Sequence, residues 1–138
     1  MQQNLVLILA RELADKLASA MFVVEGDGRL AYFNERAADI LGEPFSEIGR
    51  IPMEEWSTAF KPTSLEGEPL EPENTPLVSA VLNREPAHMS LRIEARDGTA
   101  RDLAVTAIPL FAHEDEFVGA AAIFWEHRDD AAASRSSQ

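Results

Sequence analysis

Two segments near opposite ends of this chain are apolar at every position, and they constrain the fold more than any other feature. Residues 21–24 read MFVV, and residues 117–125 read FVGAAAIFW. A strand without polar positions must have both faces covered, so each segment is predicted to lie in the middle of a sheet. In residues 88–95, by contrast, apolar and polar residues alternate, which is typical of a half-exposed strand and predicts an edge position.

The first apolar segment opens a compact unit that reads VVEGDGRLAYFNERAADILG from Val23 onwards. Residues 21–25 and 29–33 are rich in β-forming residues, and the Asp-Gly step between them supplies the positive φ that a tight hairpin needs. Asn34 is then well suited to cap a helix. Because a lone hairpin is barely stable in water, this unit is expected to pack against later parts of the chain.

The remaining elements follow from the same kinds of pattern. Proline and glycine recur between residues 43 and 72, so only short helical turns fit there, with the best candidate around residues 53–60. Asn74 or Thr75 caps a further predicted helix that has Pro76 in its first turn. The other predicted elements are strands at 88–95, 101–110 and 117–127 and an N-terminal helix at 3–20.

Together these elements predict an α+β fold built on a five-stranded antiparallel sheet. The helices between the second and third strands would cross one face of the sheet, and the N-terminal helix would cover the other face. Three parts of the chain are predicted: the amphipathic helix at 1–19, one globular domain at 20–128, and a tail at 129–138. The tail reads DAAASRSSQ from its second aspartate and has too few large apolar residues to fold, so it is predicted to be disordered.

Charge and composition narrow the partners and the location. The 138 residues carry a formal charge of −12, and the lysines and arginines are scattered, so neither nucleic acid nor an anionic membrane surface is an expected partner. The early apolar run LVLILA is too short to span a bilayer. The chain has no cysteine, which excludes disulfides and fits a reducing cytoplasm, the predicted location.

The N-terminal helix carries leucines at every fourth position: Leu5, Leu9, Leu13 and Leu17. Such spacing places the four side chains in one narrow stripe. The stripe could dock on the domain's own sheet, or it could pair with another chain and form a dimer interface. The pattern leaves both interpretations open.

The chain resembles the PAS domain in four motifs that occur in the family's order. The opening unit VVEGDGRLAYFNERAADILG is similar to the first PAS strands and helix, and EGEPLEPENTPLVSAVLNREP is similar to a stretch common in bacterial PAS sequences. RDGTARDLAVTAIPL and FVGAAAIFWEH resemble the last three PAS strands. The resemblance covers about residues 20–128 and implies the PAS strand order 2-1-5-4-3. One departure is Glu126-His127-Arg128, where many PAS domains carry an Asp-x-Thr signal relay.

The resemblance also implies a cavity between the inner face of the sheet and its helices, where PAS proteins bind small ligands. With Pro109 and Gly119 placed as in the family, the inward side chains are expected to be Leu103, Val105 and Ala107 on the fourth strand and Ala121, Ile123 and Trp125 on the fifth. Phe45 is expected to line the cavity from the helices. The full set of candidate ligand-binding residues is Phe22, Val24, Ile40, Leu41, Trp56, Phe60, Leu77, Val81, Met89, Leu91, Ile93, Val105, Ala107, Ala121, Ile123 and Trp125. For any one of them, plain core packing is the competing interpretation.

The residues present argue against covalently bound flavin, haem and metal ions as cofactors. Covalent flavin attachment in the photoactive PAS manner needs a cysteine, which the chain lacks. A haem would need an axial ligand, usually histidine, and His88, His113 and His127 are all expected at the surface. No metal-binding cluster or catalytic motif is recognised, so an enzyme is not expected.

Two functions are consistent with these residues and with the resemblance to the PAS domain. The first is a sensory module for signal transduction that binds an apolar or amphipathic small molecule and relays the change through its N-terminal helix as a homodimer. The second is a ligand-free dimerisation or adaptor module that docks on a separate kinase, phosphatase or transcription regulator. The cavity volume discriminates between them, because a cavity below about 150 Å³ holds no metabolite.

Overall fold

The structure, a computed structural model, describes residues 2–113 and 115–126, with side chains from Leu5 onwards. The predicted tail and His127 lie outside these residues. Five strands form one antiparallel sheet in the order β2-β1-β5-β4-β3, as the PAS resemblance implies. The strands are β1 (Ala20–Glu25), β2 (Leu30–Phe33), β3 (Ala87–Glu94), β4 (Ala100–Phe111) and β5 (Phe117–Glu126). The helices are α1 (Gln2–Lys16), α2 (Glu35–Leu41), α3 (Phe45–Ile48), α4 (Met53–Ala59) and α5 (Pro76–Asn83).

The sheet positions predicted from the hydrophobic patterns are confirmed. The two strands without polar alternation, β1 and β5, are neighbours near the middle of the sheet, and the alternating strand β3 is at an edge. Helices α2 to α5 connect β2 to β3 and pack on one face, here called the inner face, while α1 packs on the outer face. Each apolar strand therefore has a covered surface on both sides, which is what its sequence requires.

Local capping sets where the helices of the inner layer begin and end. Asn34 is the N-cap of α2, and its side-chain oxygen accepts a hydrogen bond from the amide of Ala37 at 3.0 Å. Gly42 ends α2 with a φ of +89°, a left-handed conformation that favours glycine. Thr75 immediately precedes α5, and Pro76 occupies its first turn. These caps position the two helices that flank the inner core.

Helix α1 uses one face for the sheet and leaves another exposed. Ala10 and Ala14 are buried against the outer face, with Leu7 beside them. Leu7 approaches closely because position 119 is glycine: a Cβ there would lie 3.1 Å from a Leu7 methyl and 2.2 Å from the carbonyl oxygen of Val24. Small side chains at these contacts let the helix axis lie close to the strands.

The leucine stripe is divided by this packing. Leu5, Leu9 and Leu13 are each more than half exposed, as a surface available to another chain would be. Leu17 departs from the predicted stripe, because α1 ends at Lys16 and Leu17 packs partly buried against the outer face. The helix therefore docks on its own sheet and also presents a stripe to solvent, so the two interpretations of the sequence are not exclusive.

The predicted facing of β5 is wrong by one residue. Residues paired across an antiparallel ladder share a face, and Ala107 on the inner face pairs with Ala122, while Val105 pairs with Phe124. The inner side chains of β5 are therefore Ala120, Ala122 and Phe124. Ala121, Ile123 and Trp125, which were predicted to face inward, instead belong to the outer face. Ala121 is buried there, Ile123 is partly buried and Trp125 is 47% exposed. A strand that is apolar at every position carries no alternation from which its facing can be read.

Candidate functional site

A small cavity lies where the sequence analysis expects one, between the inner face of the sheet and helices α4 and α5. Its volume is about 110 Å³. Strands β1, β3, β4 and β5 form its floor, and its walls come from the ends of α2, α4 and α5. The lining residues are Phe22, Leu41, Trp56, Ser57, Phe60, Pro62, Thr75, Pro76, Leu77, Leu91, Ile93, Leu103, Val105, Ala122 and Phe124.

Half of the candidate ligand-binding residues line this cavity. They are Phe22, Leu41, Trp56, Phe60, Leu77, Leu91, Ile93 and Val105, and Leu103 joins them as expected. A second group packs in or against the same core without bordering the cavity, namely Val24, Ile40, Val81, Met89 and Ala107, together with Phe45. Ala121, Ile123 and Trp125 lie on the opposite face of the sheet and are not part of the site.

Six lining residues were missed by the sequence reasoning. Ala122 and Phe124 were missed because of the error in the facing of β5. Thr75 and Pro76 were interpreted as the start of a helix, and the structure gives them that role as well as a place in the wall. Ser57 and Pro62 are placed by the path of the chain around α4, for which the sequence carried no signal.

Two of the polar groups that line the cavity make hydrogen bonds within the protein. The Trp56 indole N–H donates a hydrogen bond of 2.7 Å to the carbonyl oxygen of Gly28 in the β1–β2 turn. The Thr75 hydroxyl donates one of 2.6 Å to the carbonyl oxygen of Pro72. An edge-to-face contact with Phe22, with ring centroids 5.5 Å apart, further holds the Trp56 ring. This side of the cavity wall is thus fixed by a directional bond as well as by packing.

A second cavity of about 220 Å³ lies on the other side of the same aromatic wall. It shares Phe22, Trp56 and Phe60 with the first cavity, so these three rings separate the two spaces. Its other lining residues combine apolar groups with charged ones at the surface: Leu30, Phe33, Glu47, Ile48, Ile51, Glu55, Ala59 and Arg96. The guanidinium of Arg96 is already paired with the carboxylate of Glu43.

The histidines lie away from both cavities. The exposed His88 has its Nδ1 atom 2.7 Å from the hydroxyl oxygen of Thr106, and His113 lies 3.7 Å from the carboxylate of Glu116 at the surface. His127, the third haem-ligand candidate, is outside the described residues. Across residues 2–113 and 115–126, no three metal-ligating side chains come together in a way that could hold an ion.

Three ionisable groups on the described surface have displaced pKa values, and one of them is Arg92, whose pKa is raised by its hydrogen bond to the carboxylate of Asp102. The other two are Tyr32 and Asp97. A hydrogen bond to the carboxylate of Asp15, followed by partial burial, raises the pKa of Tyr32 above 10.0. Hydrogen bonds from the hydroxyl and amide of Thr99 lower the pKa of Asp97 below 3.8. None of these three residues lines the two cavities, so the shifts reflect local structure at α1, between the paired strands β3 and β4, and at the β3–β4 turn.

None of the helices within the described part of the chain combines the length and apolar character needed to cross a bilayer.

Comparison with solved structures identifies the fold. The PAS domain of BvgS from Bordetella pertussis matches with a TM-score of 0.63 and 18% identity, over 94% of this chain and 92% of that one. The Rhodobacter sphaeroides LOV protein matches with a TM-score of 0.70 and 11% identity, over 99% of this chain and 74% of that one. The PAS domain of the fruit-fly ELK potassium channel matches with a TM-score of 0.67 and 12% identity, over 87% and 95%.

No protein-family sequence model matches the chain, and no curated protein matches it. The structural matches, together with the strand order and the two-sided covering of the sheet, establish that this chain has the PAS fold.

Proposed function

We propose that this chain is a signalling module that acts through protein contacts, with α1 as its contact element and a second copy of the chain as the first partner. The observation that carries this proposal is the exposed stripe on α1. Leu5, Ile8, Leu9 and Leu13 are between 51% and 56% exposed although the opposite side of the same helix is docked on the sheet. Exposed apolar patches of this kind usually mark an interaction site.

The clustering of exposed apolar side chains supports a dimer. Four large apolar residues on one side of α1 are each more than half exposed, and contiguous apolar patches on soluble proteins mark interaction sites. The outer face adds the partly exposed side chains of Ile108 and Trp125. A stable interface buries about 800 Å² on each partner, so the dimer would also include residues that surround the stripe.

The charge distribution supports a second copy as the occupant. The chain as a whole carries −12, so most surface pairings between two copies are repulsive. Helix α1 contains two acidic residues, Glu12 and Asp15, and two basic residues, Arg11 and Lys16, so its net charge is zero. A helix with no net charge and an apolar stripe allows two copies to associate without that repulsion. The resulting dimer would then present the site for a separate signalling protein.

The cavity volume argues against a large cofactor. A cavity of about 150 Å³ is the size that accommodates benzene, whereas the cavity at the predicted site measures about 110 Å³. One of the similar structures is described by the words "Flavin Analogue Sheds Light on Light-Oxygen-Voltage Domain Mechanism". A three-ring flavin does not fit the cavity at the predicted site, and covalent attachment through sulfur is excluded by the lack of cysteine. The lining residues therefore serve mainly as a packed core.

A small amphipathic ligand is a second candidate, favoured by the neighbouring cavity. Its volume of about 220 Å³ is above the minimum of about 150 Å³ that a small metabolite needs. Its lining combines apolar side chains with Glu47, Glu55 and Arg96. A ligand there would contact Phe22 and Trp56 and could alter the core. Thermal-shift screening with small amphipathic compounds tests this candidate. A cytoplasmic location and the lack of an enzymatic activity stay predictions from the sequence.

Light scattering of two matched variants tests the proposal. Leu9→Glu combined with Leu13→Glu places two carboxylates in the stripe and is expected to convert a dimer into a folded monomer. Leu82→Glu is the matched control, because Leu82 is 55% exposed on α5 and lies outside the stripe, and it should leave the dimer intact. A parent chain that is monomeric at micromolar concentration, or a dimer that survives both stripe substitutions, would overturn the proposal.

A further inference from the structure

A continuous series of aromatic contacts leads from the cavity wall to the outer face of the sheet. The ring of Trp56 contacts Phe22 at 5.5 Å, and Phe22 stacks on Phe33 at 5.6 Å. Phe33 contacts Phe45 edge to face at 5.6 Å, and Phe45 contacts Tyr32 edge to face at 5.5 Å. All four distances are between ring centroids and lie within the range of favourable aromatic pairs.

Phe45 connects the aromatic rings on the inner face of the sheet to Tyr32 on the outer face. Tyr32 and Phe33 are adjacent in β2 and therefore point to opposite faces: Phe33 is in the inner core, and Tyr32 packs with α1 on the outer face. Strand β2 is an edge strand, so the first residue of α3 can lie against its open side. From there the ring of Phe45 contacts both neighbours at once.

Tyr32 completes the connection to α1 through two polar contacts. Its hydroxyl donates a hydrogen bond of 2.5 Å to the carboxylate of Asp15. The guanidinium of Arg11 lies 4.4 Å from the centre of its ring, a cation–π contact. Arg11 and Asp15 are one helical turn apart on α1, so Tyr32 holds the last part of the helix at two points.

We propose that Phe45 couples the inner aromatic wall to the docking of α1, so that a displacement of Trp56 changes how firmly the helix is held on the outer face. Packed interiors transmit small displacements, because rings in contact at van der Waals distance cannot move independently. The sheet lies between Trp56 and α1, and the aromatic contacts of Phe45 pass around its β2 edge. This inference rests on the proposed function only in taking α1 as the contact element, since the coupling itself is contained within one chain.

Hydrogen exchange of the α1 amides in a double-mutant cycle tests the coupling. Trp56→Phe keeps an aromatic ring but removes the hydrogen bond to Gly28, and Phe45→Leu removes the ring that joins the two faces. We expect Trp56→Phe to accelerate α1 exchange by about tenfold in the parent chain, which corresponds to about 1.4 kcal/mol, and by less than about twofold in the Phe45→Leu chain. Amides of β4 report any global unfolding.

Matched variants exclude a general loss of packing. Phe111→Leu is the control for Phe45→Leu, because Phe111 makes an edge-to-face contact with Phe117, ring centroids 5.9 Å apart, far along the chain from β2. With Phe111→Leu, the effect of Trp56→Phe on α1 should remain tenfold. If Phe45→Leu fails to fold, Phe45→Met also removes the ring but fills the site with a longer, flexible apolar side chain, and it gives the same comparison.

The cycle is repeated in the Leu9→Glu, Leu13→Glu chain, where no dimer is expected. If the coupling persists in this chain, the inference is supported whether or not the parent chain dimerises. A failed dimer proposal and a failed coupling therefore give different results. The inference is overturned if Trp56→Phe leaves α1 exchange unchanged. It is equally overturned if Trp56→Phe accelerates exchange to the same extent with and without Phe45.

Discussion

Asn34 offers the sharpest test of how α1 is tied to the rest of the fold. Its side chain is 4% exposed and joins three elements. The side-chain oxygen accepts from the amides of Met21 at 3.1 Å and Ala37 at 3.0 Å, which start β1 and α2. The side-chain nitrogen donates to the carbonyl oxygens of Ala14 at 2.8 Å and Ser19 at 3.0 Å, at the end of α1 and in the following turn.

Asn34→Asp separates these functions. The carboxylate still accepts from Met21 and Ala37, so the start of α2 is kept, but it cannot donate to the two carbonyl oxygens. Two lost hydrogen bonds cost about 1 kcal/mol each, and a carboxylate that faces two buried carbonyls adds a similar or larger penalty. The expected loss in the free energy of unfolding is therefore about 3 kcal/mol. Asn34→Ala removes all four bonds and is expected to cost about 4 kcal/mol, including the cap of α2.

The two variants are compared by urea unfolding and by hydrogen exchange at α1 and α2. In Asn34→Asp, the α1 amides should exchange faster while the first turn of α2 keeps its protection, and in Asn34→Ala both should lose protection. Lowering the pH should narrow the stability difference between Asn34→Asp and the parent, because a protonated carboxyl can donate one bond again. The α1 amides of Asn34→Asp could exchange at the parental rate although the free energy of unfolding falls by the expected amount. That result would refute the assignment of Asn34 as the residue that holds α1 to the rest of the fold.

Two further predictions concern α1 and the sheet. Tyr32 is the single tyrosine in the chain, so an absorbance titration should show a midpoint above about 10, and Asp15→Asn should lower that midpoint. The stabilisation that comes from the raised pKa of Tyr32 is present below about pH 10 and is lost as the pH rises through the pKa of the folded state. A midpoint unaffected by Asp15→Asn contradicts the contact. Gly119→Ala places a Cβ 2.2 Å from the carbonyl oxygen of Val24 and should lower the free energy of unfolding by several kcal/mol, as measured by urea titration. Near-parental stability would show instead that β1 and β5 can separate at this position.

The sequence predicted those parts of the fold that depend on local pattern. The positions of β1 and β5 followed from their lack of polar residues, and the alternation in β3 predicted an edge strand. Asn34 was predicted as a cap from its residue type and place, and it has that role. Each of these signals is contained within about ten residues, so neighbouring elements were not needed to interpret it.

The site was less predictable because its geometry depends on contacts between distant elements. In β5, Ala121 and Ala122 are equivalent by type, and only pairing with Ala107 decides which of them faces inward. The aromatic residues expected around a ligand cavity were correctly identified in part, but the remaining volume depends on how the ring of Trp56 is held by Gly28. Nothing in the sequence indicated that Phe45 would contact both faces of the sheet.

Native mass spectrometry of the full chain, purified without added compounds, is the most direct test of a dimer that forms through α1 around a packed core, because one spectrum reports both association and bound ligands. We expect a dimer with twice the chain mass of 15.2 kDa and no additional mass. A monomer, or a chain that carries an added mass of a few hundred daltons, would contradict a module that works through α1 contacts around a packed core.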